Sequence, residues 1–173
     1  MAPSTDDQEW LPLIATGQLD FAFTALPLAP GTFEAIEVLR DSWLLLTQAG
    51  SPLATLKSPL SVKSLKSIPL IGFGATGISQ NRLEEYLRGH GMDPNIIFRT
   101  NDNVAVTELV ATGFASALMP SLTVGHLDKR VIKIPVDIPT RSIALAWHSK
   151  RTQLPAAESF IEHVRAVCSA IEH

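Results

Sequence analysis

Cysteine is nearly absent from this 173-residue chain: Cys168 stands alone. An intrachain disulfide and a cysteine-based zinc site are therefore excluded. Cys168 falls in an apolar helical pattern, which predicts a buried, inert thiol. Charge is also sparse, at 18% of residues, with 14 basic against 17 acidic side chains and a formal net charge of −3. No dense Lys/Arg run occurs, and Lys57, Lys63 and Lys66 are spread along a loop-like stretch. Such a chain has no basic stripe with which to neutralise phosphates, so it is not expected to bind DNA by itself. Long apolar runs are missing too. Trp43–Leu46 is far short of the roughly 20 residues a bilayer span needs, so no membrane partner is expected. The opening residues, MAPSTDDQEW, lack the basic and apolar regions of a signal peptide. A soluble, reducing compartment, most simply the cytoplasm, is the expectation.

Catalytic patterns are equally scarce. The five histidines, His90, His126, His148, His163 and His173, have no metal-ligand spacing. Ser4, Ser51 and Ser121 lack a G-x-S-x-G elbow. Glu84 and Glu85 are adjacent, point in different directions on a helix, and with Arg82 and Arg88 read as a solvated face. No catalytic residue, metal or cofactor is expected, and the chain does not read as an enzyme.

What the chain does contain is a core: 46% hydrophobic residues over a length sufficient for one domain or two small lobes. Gln8–Thr16 predicts a short helix ended by Gly17, with Pro12 limiting it. Leu19–Leu26 predicts a strand buried on both faces, followed by strands at Phe33–Leu39 and Ser42–Thr47. Gln48–Ser67, rich in Pro, Gly, Ser and Lys, reads as a linker with one helical turn near Val62–Leu65. Beyond it the pattern is strand Ile68–Ile71, helix Ser79–Gly89, strand Ile96–Thr100, helix Asp102–Thr112 and strand Ala115–Met119. That βαβαβ order predicts a parallel sheet covered by helices. Strands at Val131–Ile134 and Ser142–Trp147 and a helix at Pro155–Glu172 complete the chain. Strands on both sides of the linker predict two α/β lobes with a cleft: residues 1–66 for the first part of lobe one, 67–148 for lobe two, and 149–173 for a helix returning to lobe one.

Gly72-Phe73-Gly74-Ala75-Thr76-Gly77 is a literal G-x-G-x-x-G between a predicted strand and a predicted helix. It offers a second reading, an NAD-type dinucleotide-binding domain. Against it, the ribose-binding acid expected about 20 residues on is misplaced. Asp102 comes too late, and Asp93 falls in a loop. The helix also begins with polar Ser79, Gln80 and Asn81.

Four segments, in order, resemble the effector-binding region of LysR-type transcriptional regulators. They are Leu13–Phe23 (LIATGQLDFAF), Leu44–Ala54 (LLLTQAGSPLA), Asn103–Pro120 (NVAVTELVATGFASALMP), and Arg141–Trp147 (RSIALAW) with Pro155–Ala157 and Phe160–Ile161. Ser51 stands where the family often has His, and Ala115 where it has a second Gly. The resemblance implies a bacterial, cytoplasmic regulator with an α/β, two-lobed, periplasmic-binding-protein-like (type 2) fold. It implies a small-molecule effector in the inter-lobe cleft and a homodimer. DNA would be reached only through a helix-turn-helix, which the chain lacks. The chain is also expected to begin after the family's first strand and helix of lobe one, leaving a sheet edge there open.

Under this reading the effector is a carboxylate or another polar metabolite. The helix starts near Ser79 and Asp102 offer N–H groups and a positive dipole end. Thr76, Ser79, Thr100 and Asn103 add hydroxyl and amide groups, Thr24 lies at a strand end of lobe one, and Phe73 forms an apolar wall. Helix capping or strand-end satisfaction accounts equally well for Ser79 and Thr100.

Overall fold

The computed structural model describes residues 7–28, 30–74, 78–151 and 154–171. Along the chain run α1 (Asp7–Thr16), β1 (Ala22–Ala25), β2 (Phe33–Asp41), β3 (Trp43–Gln48), β4 (Leu70–Gly72) and α2 (Ile78–Gly89). There follow β5 (Ile96–Arg99), α3 (Asn103–Ala111), β6 (Ser116–Pro120), β7 (Val131–Pro135), β8 (Arg141–His148) and α4 (Pro155–Ile171). They divide into two compact units, Met1–Asp41 with Arg141–His173, and Ser42–Thr140.

The second unit is built on a five-stranded sheet ordered β5-β4-β6-β3-β7. Its centre follows from composition. All five residues of β6 (SALMP) and all three of β4 (LIG) are buried, as strands covered on both faces must be. β4 pairs in parallel with β5 and β6, the predicted βαβαβ unit, while β3 pairs antiparallel with β6 and β7. Alternate residues of β3 feed two cores. Leu45 packs with Leu60, Leu65, Leu70, Leu83 and Leu87; Leu46 packs with Ile71, Val106, Val110, Ala117 and Met119. Each fully buried Leu contributes about 1.5–3 kcal/mol.

The stretch read as a linker belongs to this unit. Val62 and Leu65, in a 3-10 turn, are buried in the first of those cores, and Leu60 bridges to Val136. Their burial outweighs the Pro/Ser/Lys texture, so residues 42–66 fold with the second unit and not with the first.

The first unit holds a three-stranded antiparallel sheet ordered β1-β8-β2. Leu145 of β8 meets Val164 and Cys168 of α4, with Phe21, Ile36, Val38, Leu39 and Ile161 partly buried around them. The register of β2 against β8 shifts between Glu37 and Leu39. That extra residue, Val38, breaks the period-2 alternation and lets both Val38 and Leu39 reach the core. Cys168 is buried, as expected. β1 differs from expectation: it is a sheet-edge strand whose Phe23 is 52% exposed, so it is not covered on both faces. A continuous apolar run carries no period from which to tell one buried face from two.

Candidate functional site

In the five-stranded sheet, β4 and β5 run in parallel as neighbours, so the loops that follow them leave the same edge. The carboxyl edge of a parallel sheet is where open α/β folds bind ligands. Here the loop after β4 is fastened to the loop after β5. The Thr100 amide donates to the Gly72 carbonyl at 3.1 Å. The Gly74 amide donates to Oδ1 of Asn101 at 2.7 Å, and Nη1 of Arg99 donates to the Phe73 carbonyl at 2.9 Å.

The second glycine of the G-x-G is explained by this fastening. A Cβ on Gly74 would sit 2.6 Å from Oδ1 of Asn101, closer than real contacts allow. The closeness of the Asn101 side chain thus accounts for this glycine, and the Gly74 amide is already given to Asn101 and not to a phosphate. Residues 75–77, and Thr76 with them, lie outside the described residues.

Behind the loop runs a ladder of charge. Nη2 of Arg99 pairs with Oε1 of Glu84 at 2.8 Å, and Nε2 of Gln80 donates to the same oxygen at 2.9 Å. Nη2 of Arg88 donates to Oε2 of Glu84 at 2.9 Å, and its Nε reaches Asp93 at 3.2 Å. Glu84 is 5% exposed, which corrects its reading as part of a solvated face; Glu85 is the solvated one. Burial pushes the Glu84 carboxyl up. The hydrogen bonds from Gln80 and Arg99, the Arg99 charge and the Arg88 bond outweigh it and hold the group below its ordinary value.

The start of α3 is occupied by its own cap. Oδ1 of Asp102 accepts from the Val104 amide at 2.8 Å and the Ala105 amide at 3.2 Å. Two of the donors expected to face a ligand are therefore satisfied, in ordinary N-cap geometry. At its other end α3 closes with a Schellman turn. Gly113 adopts φ +78°, its amide donates to Val110, and the Phe114 amide donates to Leu109.

Of the expected site residues, Phe73 is half-buried against the second core of its unit. Ser79 is half-buried in the first turn of α2. Thr100 is half-buried, and its Oγ1 accepts from the Asp102 amide at 3.2 Å, the strand-end role foreseen for it. Asn103 is exposed as the first residue of α3. The fold brings Phe73, Thr100 and Asn103 to one sheet edge. Thr24 belongs to the first unit, where it is 3% exposed and its hydroxyl donates to the Ala25 carbonyl at 3.4 Å. Sequence reasoning missed Arg99, Asn101 and Glu84. The signal available was a short polar run, RTND, directly after a strand whose parallel neighbour ends in G-x-G. Among the described residues no cluster of His, Cys, Asp or Glu could hold a metal ion, and no helix is long and apolar enough to cross a membrane.

A profile of the family described as "LysR substrate binding domain" matches residues 4–169. The chain belongs to that family. Members and relatives are transcriptional regulators, not enzymes. The HTH-type transcriptional regulator YwbI of Bacillus subtilis is 25% identical over 156 residues, covering 88% of this chain and 52% of YwbI. The chain thus spans about half the length of that relative. Among solved structures, the CcmR regulatory domain of Synechocystis PCC6803, in complex with 2-PG, superposes with a TM-score of 0.82 at 14% identity. It covers 94% of this chain and 80% of that one. The effector-binding domain of QuiR, in complex with shikimate, gives 0.81 at 16% identity, covering 95% and 79%. At such identities the likeness shows the fold alone. That fold is the type 2 periplasmic-binding-protein-like fold of LysR effector-binding domains.

Proposed function

We propose that this LysR substrate-binding domain senses a small polar or anionic metabolite at the carboxyl edge of its five-stranded sheet. Phe73, Ser79, Thr100 and Asn103 are the contact residues. The observation that carries the reading is the fastened double loop, in which Arg99 and Asn101 lock the β4 loop against the β5 end. A preformed edge spends little free energy on ordering when a ligand arrives. The complexes of the CcmR domain with 2-PG and the QuiR domain with shikimate, both small polar molecules, support the class of ligand. The relatives named as HTH-type regulators support a wider role. The chain then works as the cytoplasmic sensing part of a homodimeric regulator whose DNA contacts lie in a separate helix-turn-helix domain. A ligand switches such a regulator only as far as it binds one arrangement better than the other.

The test is a thermal-shift screen of the chain against small carboxylates, shikimate, 2-PG, amino acids and NAD(H). A ligand at 100 times its Kd stabilises the native state by about 2.7 kcal/mol. The reading expects a shift with one class of polar metabolite, abolished by Thr100→Val or Asn103→Leu. A shift with NAD(H) alone, or one that survives both substitutions, overturns it.

A further inference from the structure

Gln80, Glu84 and Arg88 follow one another at helical spacing on one face of α2. Glu84, the middle one, is buried although it carries a charge. Both of its oxygens are taken. Oε1 accepts from Nε2 of Gln80 and pairs with Nη2 of Arg99, and Oε2 accepts from Nη2 of Arg88. A carboxylate fixed in this way orders the guanidinium it holds. With Nη2 of Arg99 anchored on Glu84, the planar fork delivers Nη1 to the Phe73 carbonyl at 2.9 Å. That carbonyl and the Gly74 N–H belong to one planar peptide unit. The N–H is held in turn by Oδ1 of Asn101 at 2.7 Å. Side chains two residues apart, at and just beyond the end of β5, thus clasp the Phe73–Gly74 peptide at both ends. The clasp bears on the first glycine of the G-x-G as well. A Cβ on Gly72 would stand 3.1 Å from Nη1 of Arg99, tighter than ordinary contact.

We propose that Glu84 is a positioning residue for the effector edge. Acting through Arg99, it sets the orientation of the Phe73–Gly74 peptide and so governs affinity for a ligand that the buried carboxylate itself does not reach. The inference rests on the effector reading above, in which Phe73 is a contact residue. Geometry gives the role to Glu84 and not to Arg99 alone. The Arg99 side chain is 35% exposed, and a long arginine stem has many rotamers to lose before Nη1 can rest on one carbonyl. Glu84, whose side chain is 6% exposed on a helix, removes that freedom before any ligand arrives. Glycine at position 74 makes the setting consequential, because a residue without a Cβ gives little resistance of its own to rotation of the peptide. Loss of the anchor frees the peptide at its carbonyl end and leaves Asn101 alone at the other. The loop that carries Phe73 is then loosened.

The experiment reads amide–water exchange by NMR in the isotope-labelled 173-residue chain, as wild type and with Glu84→Gln, Arg99→Lys or Asp93→Asn. Gly74, in a loop, exchanges through local opening. A general loss of stability raises the slowest amides of β6 but does not move it. The proposal expects Gly74 to exchange about tenfold faster in Glu84→Gln, the weight of one hydrogen bond from a charged group. Arg99→Lys keeps a cation for Glu84 but has no second arm for the Phe73 carbonyl, so it gives the same rise. It decides the matter should Glu84→Gln fail to fold. Asp93→Asn alters only the outer rung on Arg88 and leaves Gly74 as in the wild type. Calorimetric titration with shikimate, 2-PG and the other small carboxylates of the screen completes the test. A compound that binds the wild type is expected to bind Glu84→Gln and Arg99→Lys about tenfold more weakly. An unchanged Gly74 amide, a rise that Asp93→Asn matches, or undiminished affinity in both variants overturns the proposal and leaves the effector reading in place. A wild-type chain that binds nothing in the screen overturns the effector reading, and the role of Glu84 at that edge with it.

Discussion

The two units bury their sheets in different ways. In the second, β3 sends Leu45 to one core and Leu46 to the other, and each core is closed by helix or 3-10 residues. In the first, three strands rest on one principal cluster, built on buried Leu145, Val164 and Cys168. Buried charge differs as well. Asp41 is fully buried and grips Arg141 through its Oδ2, at 2.7 Å from Nη2 and 3.0 Å from Nε, at the ends of β2 and β8. Glu84 shares its load among Gln80, Arg88 and Arg99. The second unit therefore spreads its packing over two cores and the Glu84 charge over three partners, whereas the sheet of the first relies on one principal cluster. Ligand loops are best mounted on the more broadly supported frame, since a site gains precision from rigid support.

The largest expected effect tests the weaker frame. Asp41→Asn removes the carboxylate that accepts two hydrogen bonds from the Arg141 guanidinium, and removing one member of a buried pair costs about 3–5 kcal/mol. Urea unfolding reads it as a lower midpoint. A loss below about 1 kcal/mol would mean that the Asp41 carboxylate is not the main support of Arg141, and that the first unit spreads this charge as the second spreads that of Glu84. Next come matched core truncations, Leu145→Ala and Leu46→Ala, each costing about 2–5 kcal/mol. Their totals are similar, but hydrogen exchange separates them. Leu145→Ala is expected to raise exchange in β1, β2 and β8 while β4 and β6 stay protected. Equal loss of protection in both sheets would break the distinction between the units.

A smaller effect belongs to Glu84. Its carboxyl is held below the ordinary value of 4.5. The folded state thus binds this proton less readily than the unfolded chain. The resulting stability is complete above the unfolded value and is lost as pH falls through the lower, folded value. Glu84→Gln is expected to cost about 1–3 kcal/mol at neutral pH. It should also flatten the acid limb of the stability profile below pH 4.5. An unchanged limb would show that other carboxylates carry the acid sensitivity.

Most of the fold was legible because most elements announce themselves locally. Asn103–Pro120 contains a helix, a Gly in the left-handed region and an all-buried strand, and each appears where the pattern puts it. What escaped was non-local. Leu60, Val62 and Leu65 sit in a run textured like a linker, and only their burial against β3 and β7 assigns them to the second unit. Glu84 looks like its neighbour Glu85 until Arg99, fifteen positions on, folds back onto it. At the sheet edge the sequence marked Phe73, Thr100 and Asn103. Asn101 carries no local mark, because its role depends on Gly74, 27 positions earlier, being pressed against it.

The smallest change in stability bears most directly on the ligand. Asp102 caps α3 with a carboxylate at the edge where the effector is proposed to bind. Asn caps about as well as Asp, so Asp102→Asn is expected to move the melting point little while removing one negative charge beside Thr100 and Asn103. An anionic effector then gains affinity, because a like charge next to its site is gone and the positive end of α3 is less compensated. A neutral polar effector does not. Titration of wild type and Asp102→Asn with whichever metabolite emerges from the screen, at low and high salt, divides the two. A gain that fades with salt assigns an anion. Equal affinity in both proteins assigns a neutral ligand held by the hydroxyl and amide groups alone. A loss of binding would make the Asp102 carboxylate itself a ligand contact and reverse the expected sign of the effector's charge.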